Sequence, residues 1–530
     1  MVARLHNGEG DLTMRVVTRA FCNDRIEQLL RENAALRAQI REHQASAEML
    51  EQENAALRAQ IREHQARVEK LERENTTLHA QGREQQASIE RLNVRIRELT
   101  AQRGRYSGNS SKPPSSDRPG APPPARPRRT GRERGGQPGH ERHTRKLLPP
   151  ERVTRMIPIK PTSCRRCGGP LRGDDPEPHR HQVIEVPKIV ATVEEYQLHT
   201  LGCLKCGCTT RATLPDGVPS RNFGPRLQAV IAVCSGAYRM SKRAIEEMAG
   251  DFFGVPISLG SIANLEQATS EALKVPVEEV AQAVREERIV YADETGWYEG
   301  KKRAWLWTAI TAHLAMFLIR AKRSAQVAKE LLGATFGGIL VSDRWSAYAW
   351  VSMTQRQLCW AHLLRQFRGF QDHGPKAHAI GRSLELLTDT MFHSWHRVRD
   401  GTMTRADFQE FIGQLREHVI ARLQEGVECG VPAVSGRCRE ILALEPALWT
   451  FAYVDGVEPT NNNGERPIRH GVMWRKTSFG TDSPNGSRFV ERILTTVMTL
   501  RKQGRNVLDY VADACEAALQ GRDAQSLLPR

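Results

Sequence analysis

Three acidic residues stand where carboxylates can do chemistry. Asp293 follows the apolar run Ile289-Val-Tyr-Ala and opens Asp-Glu-Thr-Gly-Trp297. Asp343 follows Gly338-Ile-Leu-Val-Ser and opens Asp-Arg-Trp-Ser-Ala-Tyr348. Glu465 lies in Thr460-Asn-Asn-Asn-Gly-Glu-Arg-Pro-Ile-Arg469, near an expected helix start. Two carboxylates about 4 Å apart repel by about 4 kcal/mol at an effective dielectric near 20. Hard, oxygen-seeking cations remove that cost, Mg2+ first and Mn2+ in its place. A pair of such ions suits in-line phosphoryl displacement, one activating the attacking oxygen and the other stabilising the leaving oxygen. Glu458 is the alternative third acid.

The elements that must position these acids read as a mixed α/β domain. Arg303–Thr311 and Leu314–Arg320 have strand character and form an antiparallel meander with the Asp293 strand. Ser324–Leu332 reads as a helix, and Ile339–Asp343 as a short strand covered on both faces. Another strand and helix begin at Gln357. Three strands, a helix, then further strands and helices is the order of a ribonuclease-H-like fold. In that order the Asp293 and Asp343 strands are neighbours. Asp343 and Glu465 are 122 positions apart, more than the bare fold needs, so a helical insertion is expected over about 374–455.

The chain ahead of this core is modular. From Ile26 to Leu99 a heptad holds, with Leu at eight of eleven d positions and Asn33, Asn54 and Asn75 at a. That pattern predicts a parallel two-stranded coil, the buried Asn pairs fixing register. Residues 101–150 carry ten of the 28 prolines and twelve Lys and Arg against three Asp and Glu. Such a stretch builds no core. Its densest run holds Arg126, Arg128 and Arg129, suited to phosphate contacts that weaken with salt. Cys164-Arg-Arg-Cys167 and Cys203-Leu-Lys-Cys206 are two CxxC-Gly turns that together suit a structural Zn2+. Cys208 could replace Cys206, and Val183–His199 is expected to form a hairpin between the turns.

The expected boundaries are a tail over 1–24, the coiled coil over 25–100, the basic linker over 101–150 and the zinc-binding module over 151–215. A helical region follows over 216–288. It is either a helix-turn-helix reader of DNA or a plain packing unit, with Ser258 as a candidate N-cap. The catalytic domain spans 289–480 and a C-terminal helical region 481–530. Past Glu465, Arg466, Arg469, His470, Arg475 and Lys476 surround Trp474, a plausible strip for phosphates and bases.

Composition agrees with a polyanionic partner. The net charge is +16 and the pI about 9.6. No apolar run reaches the roughly 18 residues of a membrane span. Eleven cysteines with two CxxC pairs suit a reduced, cytoplasmic protein rather than a disulfide framework.

Taken together, Asp-Glu-Thr-Gly-Trp297, Ser-Asp-Arg-Trp-Ser-Ala-Tyr348, Cys359-Trp-Ala-His-Leu-Leu-Arg-Gln-Phe and Asn-Asn-Asn-Gly-Glu-Arg-Pro-Ile-Arg469 resemble the DDE transposases of the insertion-sequence-66 family. Asn109-Ser-Ser-Lys-Pro-Pro-Ser-Ser-Asp and Gly135-Gly-Gln-Pro-Gly-His resemble that family's linker, and the resemblance covers roughly 25–510. Gly464 and Pro467 depart from its commoner pattern, which has Ala before the Glu and a non-Pro residue after the Arg. The resemblance implies a bacterial mobile-element enzyme acting on double-stranded DNA, with Asp293, Asp343 and Glu465 as catalytic triad. It also implies small accessory proteins from the same element. The competing expectations are a catalytically inactive DNA-binding derivative and a nuclease that cuts without joining.

Overall fold

The computed structural model describes residues 11–103 and 146–529 and divides into two units, one up to Gly104 and one from Arg105 onward. Arg126, Arg128 and Arg129 lie outside the described residues, with most of the expected linker.

The first unit is one long helix, α1 (Asp11–Arg103). Arg31 pairs with Glu27 and Arg73 with Glu69 one turn apart, as charged helix faces do. The heptad residues Ile26, Leu29, Leu36, Ile61, Val68, Leu71, Leu78, Ile89, Leu92 and Ile96 are all exposed on it.

The described part of the second unit opens with chain that forms little regular structure. The only described strands before residue 289 are β1 (Thr200–Gly202) and β2 (Thr209–Arg211), a short antiparallel pair around the second cysteine turn. The expected hairpin over Val183–His199 is not formed. Residues 183–199 carry no strand pairing, and Val183, Val186, Val190 and Val193 are exposed. β-Branching favours extended backbone, but a strand also needs a ladder partner and a face to bury. The Cys203 turn, closed by Gly207 N–H to Cys203 O at 2.8 Å, supplies that pairing a few residues later.

Four helices follow: α2 (Pro225–Gly236), α3 (Lys242–Phe253), α4 (Leu259–Ala272) and α5 (Lys274–Glu286). Ser258 caps α4 through its hydroxyl, accepting from Ser261 N–H at 3.2 Å, as expected from the sequence. Ile231, Ile245, Ala249, Ile257, Ile262 and Leu265 form a small core of their own.

A five-stranded mixed sheet comes next. Its strands are β3 (Ile289–Glu299), β4 (Lys302–Ile310), β5 (Ala315–Arg320), β6 (Ile339–Ser342) and β7 (Arg356–Leu358). The spatial order is β5-β4-β3-β6-β7. β3, β4 and β5 are antiparallel neighbours, whereas β6 runs parallel to β3 and β7 parallel to β6. α6 (Ala325–Leu332) makes the crossover from β5 to β6, and α7 (Trp360–Phe370) leaves β7. The interior residues Val290, Tyr291, Leu306, Trp307, Leu340 and Val341 are buried, so the sheet is the centre of the main core.

The expected insertion is helical: α8 (Pro375–Arg399), α9 (Arg405–Val427), α10 (Pro432–Ala443) and the short α11 (Thr450–Tyr453). α12 (Asn462–Ser478) then returns to the sheet. A Cβ on Gly471 would meet Leu306 Cδ2 at 2.1 Å, so a larger residue there would have to displace the buried Leu306 side chain or push α12 off β4. Pro467 is the sixth residue of α12 rather than part of its first turn, so its missing N–H falls within the helix. α13 (Pro484–Lys502) and α14 (Val507–Leu519) close the domain. α13 covers edge strand β5: Thr499 and Thr495 hydroxyls and the Glu491 carboxylate accept from the N–H groups of Ala315, Phe317 and Ile319.

Candidate active site

Asp293 is the fifth residue of β3 and pairs in register with Thr308 of β4. Its Oδ1 accepts from the Glu294 N–H at 2.9 Å. Asp343 is the first residue past β6, the parallel neighbour of β3, so two apolar strands deliver two acids to one region of the sheet. Asp343 Oδ1 accepts from the Trp345 N–H at 2.9 Å, a turn that stops the strand and fixes the carboxylate. Glu465 enters from the first turn of α12.

Buried Asn461 holds α12 to β3, donating from Nδ2 to the Ala292 carbonyl at 2.8 Å, one residue before Asp293. Cys359, which precedes α7, makes a second tie. Its N–H donates to the Ser342 carbonyl at 3.0 Å, and its sulfur accepts from the Asn461 N–H at 3.1 Å. Trp360 N–H to Pro459 O at 2.9 Å reinforces the contact.

The electrostatics are those of crowded acids. Burial, and then the charges of Glu294, Asp343 and Glu465, hold the Asp293 carboxyl well above the usual carboxylate range. Burial also raises Glu465, with Arg365 opposing and Asp343 adding to the shift. Glu458 takes no part in this cluster; it accepts from Trp395 Nε1 at 3.2 Å. Glu465 Oε1 is buried without a hydrogen-bond partner. Buried carboxylates short of positive charge fit hard divalent cations. The three acids are not at ligand spacing with one another. Among the described residues, the one trio of His, Cys, Asp or Glu ligand atoms mutually within 4.8 Å is Cys359, His362 and Glu465. Cys359 is a poor ligand, because burial pushes its thiol up to about 11 and its sulfur already accepts a hydrogen bond.

Other residues of the same motifs gather beside the three acids. Strand alternation sends Glu294 to the face opposite Asp293. There it pairs with Arg323, with Nε at 3.1 Å, and accepts from the Tyr348 hydroxyl at 2.6 Å. Burial and then the Asp343 charge lift Glu294 to about 7, against Arg323 and Tyr348. Arg323 also lies 3.9 Å over Trp345 and 4.9 Å over Trp305, an aromatic seat for its guanidinium. His362, in the first turn of α7, is held down to about 3 by burial, then by Arg365 and Arg344, and is therefore neutral.

The expected nucleic-acid strip is only partly available. Arg466, Arg469 and Lys476 are exposed on α12. Arg475 is tucked onto β3, donating to Gly296 O at 2.7 Å and Thr295 Oγ1 at 3.1 Å. Trp474 belongs to the core; the exposed aromatic at this end is Phe479.

The cysteine turns are each well formed. Gly168 N–H to Cys164 O at 2.9 Å closes the first as Gly207 closes the second. Backbone N–H groups of Arg166 and Cys167 lower the Cys164 thiol, and those of Cys206 and Lys205 lower Cys203. Both turns thus favour thiolate. The structure does not bring Cys164 and Cys167 to metal-ligand distance from Cys203 and Cys206.

Comparison with known proteins agrees with the acid-bearing region. A family model described as "Transposase IS66 family" matches residues 221–488. A second model, described as a family of unknown function, matches residues 25–146. A curated Sinorhizobium fredii protein, "Uncharacterized protein y4qI", is 25% identical over an alignment of 351 residues that covers 59% of this chain and 62% of that relative.

Proposed function

The chain belongs to the IS66 transposase family, and from that premise we propose that it binds the ends of its element, cleaves them and joins the freed 3′-hydroxyl to target DNA. The observation that carries this reading is the delivery of Asp293, Asp343 and Glu465 to one region by neighbouring parallel strands and the helix tied to them. The strand order supports a ribonuclease-H-like core.

Asp293, Asp343 and Glu465 would hold two divalent ions, Mg2+ or Mn2+, which when bound activate the attacking oxygen and stabilise the leaving one. The protein's own part is to keep the three carboxylates gathered against their repulsion. Asn461 and Cys359 do this by tying the Glu465 helix to the Asp293 and Asp343 strands. The Glu294–Arg323 pair, seated on Trp345, stiffens the opposite face of β3. Arg466, Arg469 and Lys476 would meet DNA phosphates beside the site, and linker residues Arg126, Arg128 and Arg129 would tether the duplex.

In this reading the coiled coil pairs two protomers, and the Cys164–Cys167 and Cys203–Cys206 turns, which are apart in this structure, would have to come together to share a structural Zn2+. The protein works in the bacterial cytoplasm on nucleoid DNA, with accessory proteins of the same element. None of its described helices is long and apolar enough to cross a membrane.

The test is strand transfer. Protein is mixed with a labelled element end bearing a free 3′-hydroxyl and a plasmid target, in Mg2+, Mn2+ or EDTA, beside Asp293→Asn. Joining is expected with either ion and absent with EDTA or the variant. Cutting without joining would favour a nuclease, and end binding without either reaction an inactive derivative.

A further inference from the structure

His362 and Glu465 face each other from the first turns of two tied helices. His362 Nδ1 lies 3.6 Å from Glu465 Oε1. Both atoms are buried and neither has another hydrogen-bond partner. Two polar atoms left alone inside a protein and aimed at one another are a matched pair, because each otherwise forfeits its hydrogen bonds to water. The separation is about 0.5 Å beyond hydrogen-bond range. The backbone around the pair is fixed: Cys359 starts α7 and accepts from Asn461, which starts α12. Closing the gap therefore needs only a small side-chain movement of Glu465.

We infer that His362 is a positioning residue for the third acid: its Nδ1–H donates to Glu465 Oε1 and turns the other carboxylate oxygen toward the cations. This rests on Glu465 being the third acid of the site. A hydrogen bond that orients a ligating carboxylate is typically worth 10- to 100-fold in metal affinity.

The experiment uses full-length protein and follows Mn2+ binding through the spin-resonance signal of the free ion. Thermal unfolding and element-end binding report on folding. His362→Ala is expected to weaken Mn2+ binding about 10- to 100-fold with end binding kept. His362→Asn places an amide nitrogen where Nδ1 stood and is expected to restore most of the affinity. His362→Gln places it where Nε2 stood and is expected not to restore it. The Asn–Gln contrast decides the matter even if the alanine variant does not fold. Equal Mn2+ affinity in the Asn and Gln variants overturns the inference. So does a Cys359→Ser variant as weak as His362→Ala, which would mean a Cys–His–Glu ligand set. Glu465→Gln separates the two levels: if it leaves Mn2+ binding intact, the three-acid reading itself falls. If it weakens binding while His362→Ala does not, only the positioning role falls.

Discussion

The sulfur of Cys359 lies 3.1 Å from the backbone nitrogen of Asn461, joining positions 102 residues apart. One residue thereby links the strand that delivers Asp343 to the helix that delivers Glu465, since its N–H also holds Ser342 O.

Removing that sulfur leaves the Asn461 N–H buried and unpaired. Cys359→Ala is expected to cost about 1–3 kcal/mol of stability. Strand transfer should fall further than stability predicts, because Glu465 loses its anchor. Cys359→Ser keeps an acceptor and should recover much of both. Thermal unfolding beside the joining assay checks this; equal activity in the Ala variant and the wild type would remove the link from the mechanism.

The acid cluster sets a pH dependence whose sign is fixed. Asp293 is held well above the usual range, and Glu294 is raised from 4.5 to about 7. The folded protein keeps protons that the unfolded chain has released, so metal-free stability falls as pH rises from about 4.5 through about 7. For Glu294 the effect is on the order of 3 kcal/mol. On the proposed two-cation reading, cations compete with those protons, so Mg2+ should raise the melting temperature more at pH 8 than at pH 5.5. Asp293→Asn should shrink that difference. A Mg2+ effect independent of pH would contradict it.

Leu71 and Leu78 are 56% and 64% exposed on α1, at successive d positions. A paired coil buries them. Leu71→Glu with Leu78→Glu should therefore halve the mass measured by light scattering. An unchanged mass would place the protomer contact elsewhere.

Much of the sheet was legible because short apolar runs ending in Asp293 and Asp343 have one good interpretation, a covered strand with a polar end. Ser258 was legible because a cap is a local contact. Residues 183–199 misled because extended propensity is local while a ladder partner is not. Trp474 and Arg475 misled because helix phase decides which side of a basic strip faces solvent. Cys359, Asn461 and the Glu294–Arg323–Tyr348 network left no periodic trace, since each joins distant elements.

The cover on β5 gives a sharp pair of neighbouring substitutions. Glu491, Thr495 and Thr499 recur every four residues on α13 and meet Ile319, Phe317 and Ala315, every second residue of the strand. Four helical residues rise about 6.0 Å and two strand residues about 6.6 Å, so the two repeats stay in step. An edge strand is thus closed by side chains instead of another strand. Thr495→Val keeps the shape but strands the Phe317 N–H, at an expected cost of about 1–3 kcal/mol, and Thr495→Ser should restore it. Adjacent Thr496 is also fully buried, but its hydroxyl has no partner. Thr496→Val removes an unsatisfied polar group without changing the volume much, so it should be neutral or stabilising. Urea unfolding followed by tryptophan fluorescence compares the two. Equal destabilisation by both valines would mean that the loss comes from packing and that the hydroxyls do not cap the edge.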